Sequence, residues 1–465
     1  MDRESVRGPR LKPTLGLFDA TAISVGAIVG AGIFVVTGIV AGYAGSALVF
    51  SMLIAAMVAL LTALSFAELT AWLPREGSVY EFAYQLVSPF AGFLVGWMWM
   101  LSNTFAGAAV SLGFAYYLTA LFPSSYVKWV AAIICIAFTA LNFFSIRQSA
   151  ALNNFLVVAK LFILAFFVIF GLGYINPANF TPFAPFEIGV FYGAYYIFFA
   201  YGGFARVAVV AEEVKDAERN VPRAILLSLV VSTIFYMVAG VAAVGLIGTS
   251  RLSNSNSPLT KAIGATGSAA AVYIVSAGGL LATASVLLTS ILGVSRVAYA
   301  MARRKDLPKA LSKLHPKYNT PYYSVWIVGF SMALLVLFVD LAKVVAISTF
   351  AMLFYYAIAN VSALRLKAQK RMYPLVVPAL GAFTWLALLI FILFASPQAW
   401  DLGAAGLAAG TIYYSIKKGL AKNPHRQLLS MPGQLSPRSR LSVRKQRIFH
   451  PIFPQHPQEC PARGL

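Results

Sequence analysis

Two apolar runs of membrane length are each interrupted by glycine, and the interruptions fall in corresponding places, in the first run and the sixth. One reads Val29-Gly30-Ala31-Gly32-Ile33-Phe34 and the other Phe199-Ala200-Tyr201-Gly202-Gly203-Phe204. Glycine weakens a helix and frees backbone groups. Hydrocarbon penalises unpaired N–H and C=O groups, so such a break survives only where it lines protein or a water-filled cavity. Broken segments at matching positions in two halves of a membrane chain point to a solute site near the bilayer midplane.

The composition fits a membrane bundle. Hydrophobic residues make up 60% of the chain and charged ones 11%, against roughly 25% charged in soluble domains. About twelve apolar runs of spanning length lie between residues 15 and 416. They lack the two-residue alternation of a barrel, so the expected class is an all-α integral membrane protein. The first run is longer than a signal-peptide core and lacks a cleavage site, so no cleaved leader is expected.

The spacing of the breaks predicts two five-helix repeats: 15–174 (spans 1–5) and 188–364 (spans 6–10), followed by spans 11–12 in 373–416. Five is odd, so the second repeat enters from the opposite side, with inverted topology. Residues 1–14 form a short N-terminus and 417–465 a basic, Pro-rich tail expected to be disordered. With the N-terminus inside, inner segments before the tail carry 19 lysines and arginines and outer loops carry four, Lys128, Arg251, Lys261 and Lys343. That bias puts both termini in the cytoplasm of a multi-pass protein of the cell membrane. The net charge of +21 is then read as positive-inside bias with anionic-lipid contact at the inner face, not as nucleic-acid binding. Loop 302–320 is expected to form a short amphipathic helix at the inner interface. Two cysteines, Cys135 and Cys460, give no disulfide framework or metal spacing.

The first break offers amide N–H groups of Gly30, Ala31 and Gly32 at the positive end of a half-helix, which holds a carboxylate without a charged side chain. Close packing of helices through small residues is the competing explanation. The second offers carbonyls of Phe199, Ala200 and Tyr201, with Gly202 beside them, which suit an ammonium group. Phe199 and Tyr201 are also candidate gating rings. Lys160, inside an apolar stretch of run five, is a functional candidate because an intramembrane lysine is costly; it either carries a proton through a transport cycle or places a fixed cation against helix carbonyls. Snorkelling to the interface is the alternative. Asn103 is a candidate ligand donor or a helix–helix hydrogen bonder. Glu68 and Asp19 are candidates for an inner gate, Arg206 for pairing with an acid or a ligand carboxylate, and Thr283, Ser285, Thr289 and Ser290 for facing Lys160. No phosphate loop, metal cluster or hydrolase triad is present, so neither an enzyme nor a cofactor is expected.

These motifs resemble the amino acid–polyamine–organocation (APC) superfamily of transporters over residues 12–416, in particular prokaryotic proton-coupled amino acid permeases. The resemblance rests on Leu15-Gly-Leu-Phe-Asp19 with Val25-Gly-Ala-Ile-Val-Gly30-Ala-Gly32-Ile-Phe34, on Phe199-Ala-Tyr-Gly-Gly-Phe204 with Glu212-Glu213 through Ile225, and on Ser295 through Arg303 with Leu307-Pro308 and Pro321. It implies a LeuT-like 5+5 inverted repeat with broken helices 1 and 6. It implies that amides of Ala31, Gly32 and Ile33 hold a substrate carboxylate and carbonyls near Phe199 to Gly202 hold its amine. Lys160 is similar to the span-five lysine of proton-coupled members. The chain departs from the pattern at Ala205, where many relatives carry an acid, at Ala217, where proline is usual, and at Leu288, where asparagine is common.

The function expected from this resemblance is secondary active amino acid transport by alternating access, as proton-coupled uptake of neutral amino acids. An antiporter or facilitator of amino acids or polyamines without net proton use is the alternative, and a non-transporting receptor or a channel the third. The expected partners are the small-molecule substrate, protons and membrane lipids.

Overall fold

Apolar side chains in a bilayer leave the backbone nothing to bond to but itself, and the chain satisfies that demand with helices. The computed structural model describes residues 13–30, 32–74, 78–144, 150–318, 320–367 and 371–422. Among them every apolar run carries helix, and the only β pairing is an isolated parallel bridge between Leu15 and Val214. By contacts the chain divides into Met1–Tyr414 and Ser415–Leu465. In the second unit the described residues are the last turns of the final helix.

The first run is split into α1 (Leu17–Ile28), a π-helical turn over Gly32–Val36, and α2 (Thr37–Ala44). It is followed by α3 (Leu48–Trp72), the short α4 (Ser78–Leu86), α5 (Pro89–Leu121), α6 (Val127–Phe143) and α7 (Ala150–Leu172). The sixth run is split into α8 (Ile188–Tyr201) and the single turn α9 (Arg206–Val209). Then come α10 (Ala217–Ser253), α11 (Pro258–Gly264), α12 (Ala269–Arg303), α13 (Tyr322–Phe338), α14 (Leu341–Arg365), α15 (Val376–Ala395) and α16 (Pro397–Lys422).

Among the described residues eight helical stretches are long and apolar enough to cross a membrane, with Leu17–Trp72 taken as one; α6 and α13 are apolar but shorter. The expected amphipathic helix in 302–320 is reduced to one 3₁₀ turn, Lys309–Ser312. Pro308 and Pro316 bracket it, and proline disfavours helix in the residue before it.

Packing repeats itself between the halves. Helix α3 lies against α8 as α10 lies against α1, α5 against α14 as α12 against α7, and α5 against α6 as α12 against α13. Helices α3 with α10, α5 with α12, and α6 with α13 close the arrangement across its middle. The two broken runs lie side by side at its centre.

Candidate functional site: a cavity between two broken helices

The breaks touch backbone to backbone. A Cβ built on Gly203 would overlap the main chain of Ala27 and Ile28, and one on Gly32 would lie 2.5 Å from the Cα of Ala200. Only glycine permits that approach. Beyond α1, Val29 donates to the Val25 carbonyl at 2.7 Å and Gly30 to the Ile28 carbonyl at 2.8 Å, and the regular helix stops there. The π turn then opens a fresh helical start at Gly32, whose first N–H groups have no partner within the helix. Past Tyr201 the second break is a succession of tight turns, Phe204 to Tyr201 at 3.3 Å and Arg206 to Gly203 at 3.0 Å.

Side chains from neighbouring helices take up the freed carbonyls. The Tyr236 hydroxyl, on α10, lies 2.6 Å from the Ile28 carbonyl and 3.3 Å from that of Ala200, so it spans both breaks. Tyr356 of α14 donates to Gly202 at 2.9 Å, and Ser24 of α1 donates to Phe204 at 3.1 Å. Tyr117 of α5 donates to Phe34. A buried acceptor left without any such donor carries a desolvation cost of about 1–3 kcal/mol.

A cavity lies between the breaks. Gly32, Asn103, Phe199, Ala200 and Gly202, all named from sequence, line it together. Ala27, Ile28 and Gly203 complete the backbone portion; Ala106, Val110, Val286 and Met352 give apolar wall, and Ser102, Ser290, Arg206 and Tyr355 add polar groups. None of these is acidic. Ile33 is buried and does not line the cavity, and Gly30 packs against Val286. Tyr201 turns away to donate to the Met52 carbonyl at 3.2 Å. Ala31 lies outside the described residues.

Asn103 donates through Nδ2 to the Trp99 carbonyl of its own helix at 2.9 Å and accepts from Arg206 Nη2 at 3.3 Å. Lys160 is buried, 1% exposed, so it does not snorkel. Its Nζ donates to the Gly26 carbonyl of α1 at 3.0 Å and to Ser285 Oγ of α12 at 2.9 Å. The ammonium thus ties α7 to α1 just before the first break and to α12 across from it. Of the hydroxyls expected to face Lys160, Ser285 does; Thr289 bonds its own helix, and Ser290 lines the cavity.

Two other expected gate residues are placed around this core. Asp19 accepts from Gly16 N at 2.8 Å and from Asn154 Nδ2 at 2.7 Å, fastening α1 to α7. Glu68, at the end of α3, accepts from Met372 N at 3.0 Å, with Arg371 at 3.8 Å. Tyr236, Tyr356 and Ser24 escaped notice in the sequence, since a hydroxyl in an apolar run says nothing of which carbonyl it will meet. Among the described residues no group of three or more His, Cys, Asp or Glu side chains could hold a metal ion.

A family model described as "Amino acid permease" matches residues 15–415. A branched-chain amino acid permease of Bacillus subtilis is 34% identical over 363 residues, covering 73% of this chain and 78% of that one. A methylthioribose transporter of the same organism is 30% identical over 435 residues, covering 87% and 93%. An uncharacterized transporter of Mycobacterium tuberculosis is 34% identical over 411 residues, covering 88% and 92%.

Proposed function

This chain belongs to the amino acid permease family of the APC superfamily, and on that premise we propose that it takes up neutral amino acids by alternating access, coupled to protons. Membership and the apolar helices support a multi-pass membrane transporter. The observation that carries the finer reading is the cavity enclosed between two helix breaks in backbone contact.

The substrate's carboxylate meets the free N–H groups that open at Gly32 and Ile33. Peptide dipoles there favour an anion with no cationic side chain needed. The ammonium meets carbonyls of the second break around Phe199 to Gly202. Val110, Val286 and Met352 then receive the side chain, which supports an apolar one. Arg206 in the same wall repels a cationic side chain. The relative named as a branched-chain permease supports the same choice.

The paired helix contacts support a 5+5 inverted repeat of spans 1–5 and 6–10, with spans 11–12 added, twelve crossings and both termini cytoplasmic. The basic inner loops then lie against anionic lipid of the plasma membrane. In this reading Lys160 couples the cycle to protons: charged, it draws α1 and α12 together through Gly26 and Ser285; neutral, it loses the charge that strengthens both hydrogen bonds, and its hold on the two helices weakens. Rocking of one helix group against the other follows from that exchange. A fixed ammonium at the same place fits the alternative, an antiporter or facilitator.

Purified protein in proteoliposomes decides between these. Neutral amino acids are expected to accumulate when an inward proton gradient is imposed. Exchange without accumulation establishes the alternative, and no movement of any amino acid in the panel overturns transport of this class.

A further inference from the structure

Two buried donors line the central cavity with nothing to donate to. Arg206 Nη1 and Ser290 Oγ are both sealed from solvent and have no hydrogen-bond partner. They arrive from different elements, α9 and α12. Arg206 is the cation of the cavity wall, and no carboxylate among the described residues pairs with it. Its other terminal nitrogen, Nη2, makes one long bond to Asn103 at 3.3 Å, and its guanidinium carbon stands 5.9 Å from the Trp99 ring.

The position is built, not accidental. A Cβ on Gly293 would lie 2.8 Å from Nη1 and 3.2 Å from Trp99, so α12 leaves space for the guanidinium only because glycine stands there. Gly293 follows Ser290 by three residues and therefore shares its face. Arg206 also lines a second, smaller cavity with Val79, Trp99 and Tyr356, so its head forms part of a wall common to both.

A buried guanidinium lacking a counter-charge is strongly unfavourable, and the matching remedy is an anion within reach of its free N–H groups. Two orphaned donors and no acid in one wall have the chemistry of an anion subsite. We propose that Arg206 and Ser290 bind a singly charged anion in the cavity, in addition to the carboxylate cradle at Gly32. The anion has two possible sources: a free inorganic ion such as chloride, or a carboxylate on the side chain of the transported solute. The free ion goes beyond the transport reading and does not depend on it; the side-chain carboxylate rests on transport and replaces the neutral solute of that reading with an acidic one.

Thermal unfolding of the detergent-solubilised full chain tests it without requiring transport. The probes are chloride, with bulky gluconate as the replacement anion, and glutamate against its neutral isostere glutamine. A chloride-dependent rise in melting temperature in the wild type identifies the free ion. A rise with glutamate at concentrations about tenfold below those needed for glutamine identifies the side-chain carboxylate. Either response is expected to vanish in Arg206→Gln, to survive in Arg206→Lys and to weaken in Ser290→Ala. Gly293→Ala, which crowds the guanidinium while leaving its charge, is expected to weaken it too, and this variant serves if Arg206→Gln does not fold. No response to either anion in the wild type overturns the proposal, as does a response that persists in Arg206→Gln or, in its place, one unchanged in Gly293→Ala. If the anion response behaves as expected but no amino acid moves in proteoliposomes, the subsite stands and the transport reading falls.

Discussion

The hydroxyl of Tyr236 lies 2.6 Å from the carbonyl of Ile28, the last residue of the half-helix before the first break. It is also 3.3 Å from Ala200 in the second. One proton is thereby offered to both interrupted helices from a third, α10, which packs against each of them. Closure of the cavity and the state of this hydroxyl are coupled: separating the breaks forces Tyr236 to choose one acceptor.

Tyr236→Phe removes the link and keeps the ring, which packs on Tyr201 with centroids 5.3 Å apart. Ile28 retains Gly30 N as a donor, so the stability loss should fall near the low end for a buried hydrogen bond, about 1 kcal/mol. Substrate affinity should fall further, by about tenfold or more, because the two halves of the cradle lose their common tie. Thermal unfolding together with ligand titration checks this. A variant destabilised as expected but with unchanged affinity would reduce Tyr236 to a structural role.

The glycine contacts make a sharper case. Gly203→Ala drives a methyl group into the Ala27–Ile28 backbone, which has no rotamer by which to yield. Gly32→Ala meets the Ala200 Cα at 2.5 Å. Overpacking of this kind costs about 1–3 kcal/mol. Both variants should abolish uptake while the chain still inserts in the membrane. Gly173→Ala, with nothing within 4 Å of its Cβ, is the neutral control. Transport by Gly203→Ala at the wild-type rate would show that the breaks need not touch.

What the sequence revealed, and what it concealed, follows from the kind of signal each residue leaves. Gly30, Gly32, Gly202 and Gly203 stand out because helix interiors in lipid disfavour them, and Lys160 because charge there is expensive. Tyr236 is one of 22 tyrosines, and its role comes from a carbonyl 208 residues away in the chain. Tyr201 reads as a gate by its position in the motif, yet helical geometry turns it toward Met52. The basic segment 302–320 has helix-like charge spacing, but its prolines limit it to a single turn. Arg206 is visible as an oddity; that its Nη1 would be left without a partner in a cavity it shares with Ser290 is not.

At one end of the bundle, Lys128 donates to Asp340 at 2.9 Å, joining the start of α6 to the residue before α14. The hydrogen bond and charge of Lys128 hold the Asp340 carboxyl below its ordinary range. A depressed folded-state value contributes stability above the unfolded value, about 3.9, and that contribution is lost as pH falls through the folded one. The pair is largely exposed, so screening keeps its contribution small. The melting-temperature gap between wild type and Asp340→Asn should therefore be slight at neutral pH, narrow in high salt and close on acidification below about pH 4. A gap that widens in acid would contradict the assignment.

Lys160 sets the last test, because its two acceptors belong to different helices. Lys160→Ala leaves the Gly26 carbonyl and Ser285 hydroxyl without their donor and opens a cavity where a long side chain was buried. Lys160→Met fills that volume without charge and isolates the role of the ammonium. In proteoliposomes the methionine variant is expected to catalyse exchange of labelled substrate near the wild-type rate but to lose accumulation driven by an imposed proton gradient. Its uptake should also become insensitive to external pH over a range where the wild type responds. Loss of both exchange and accumulation in Lys160→Met, with folding intact, would make the ammonium a fixed strut between α1 and α12. Accumulation at the wild-type level would remove Lys160 from energy coupling and favour a proton route elsewhere in the bundle.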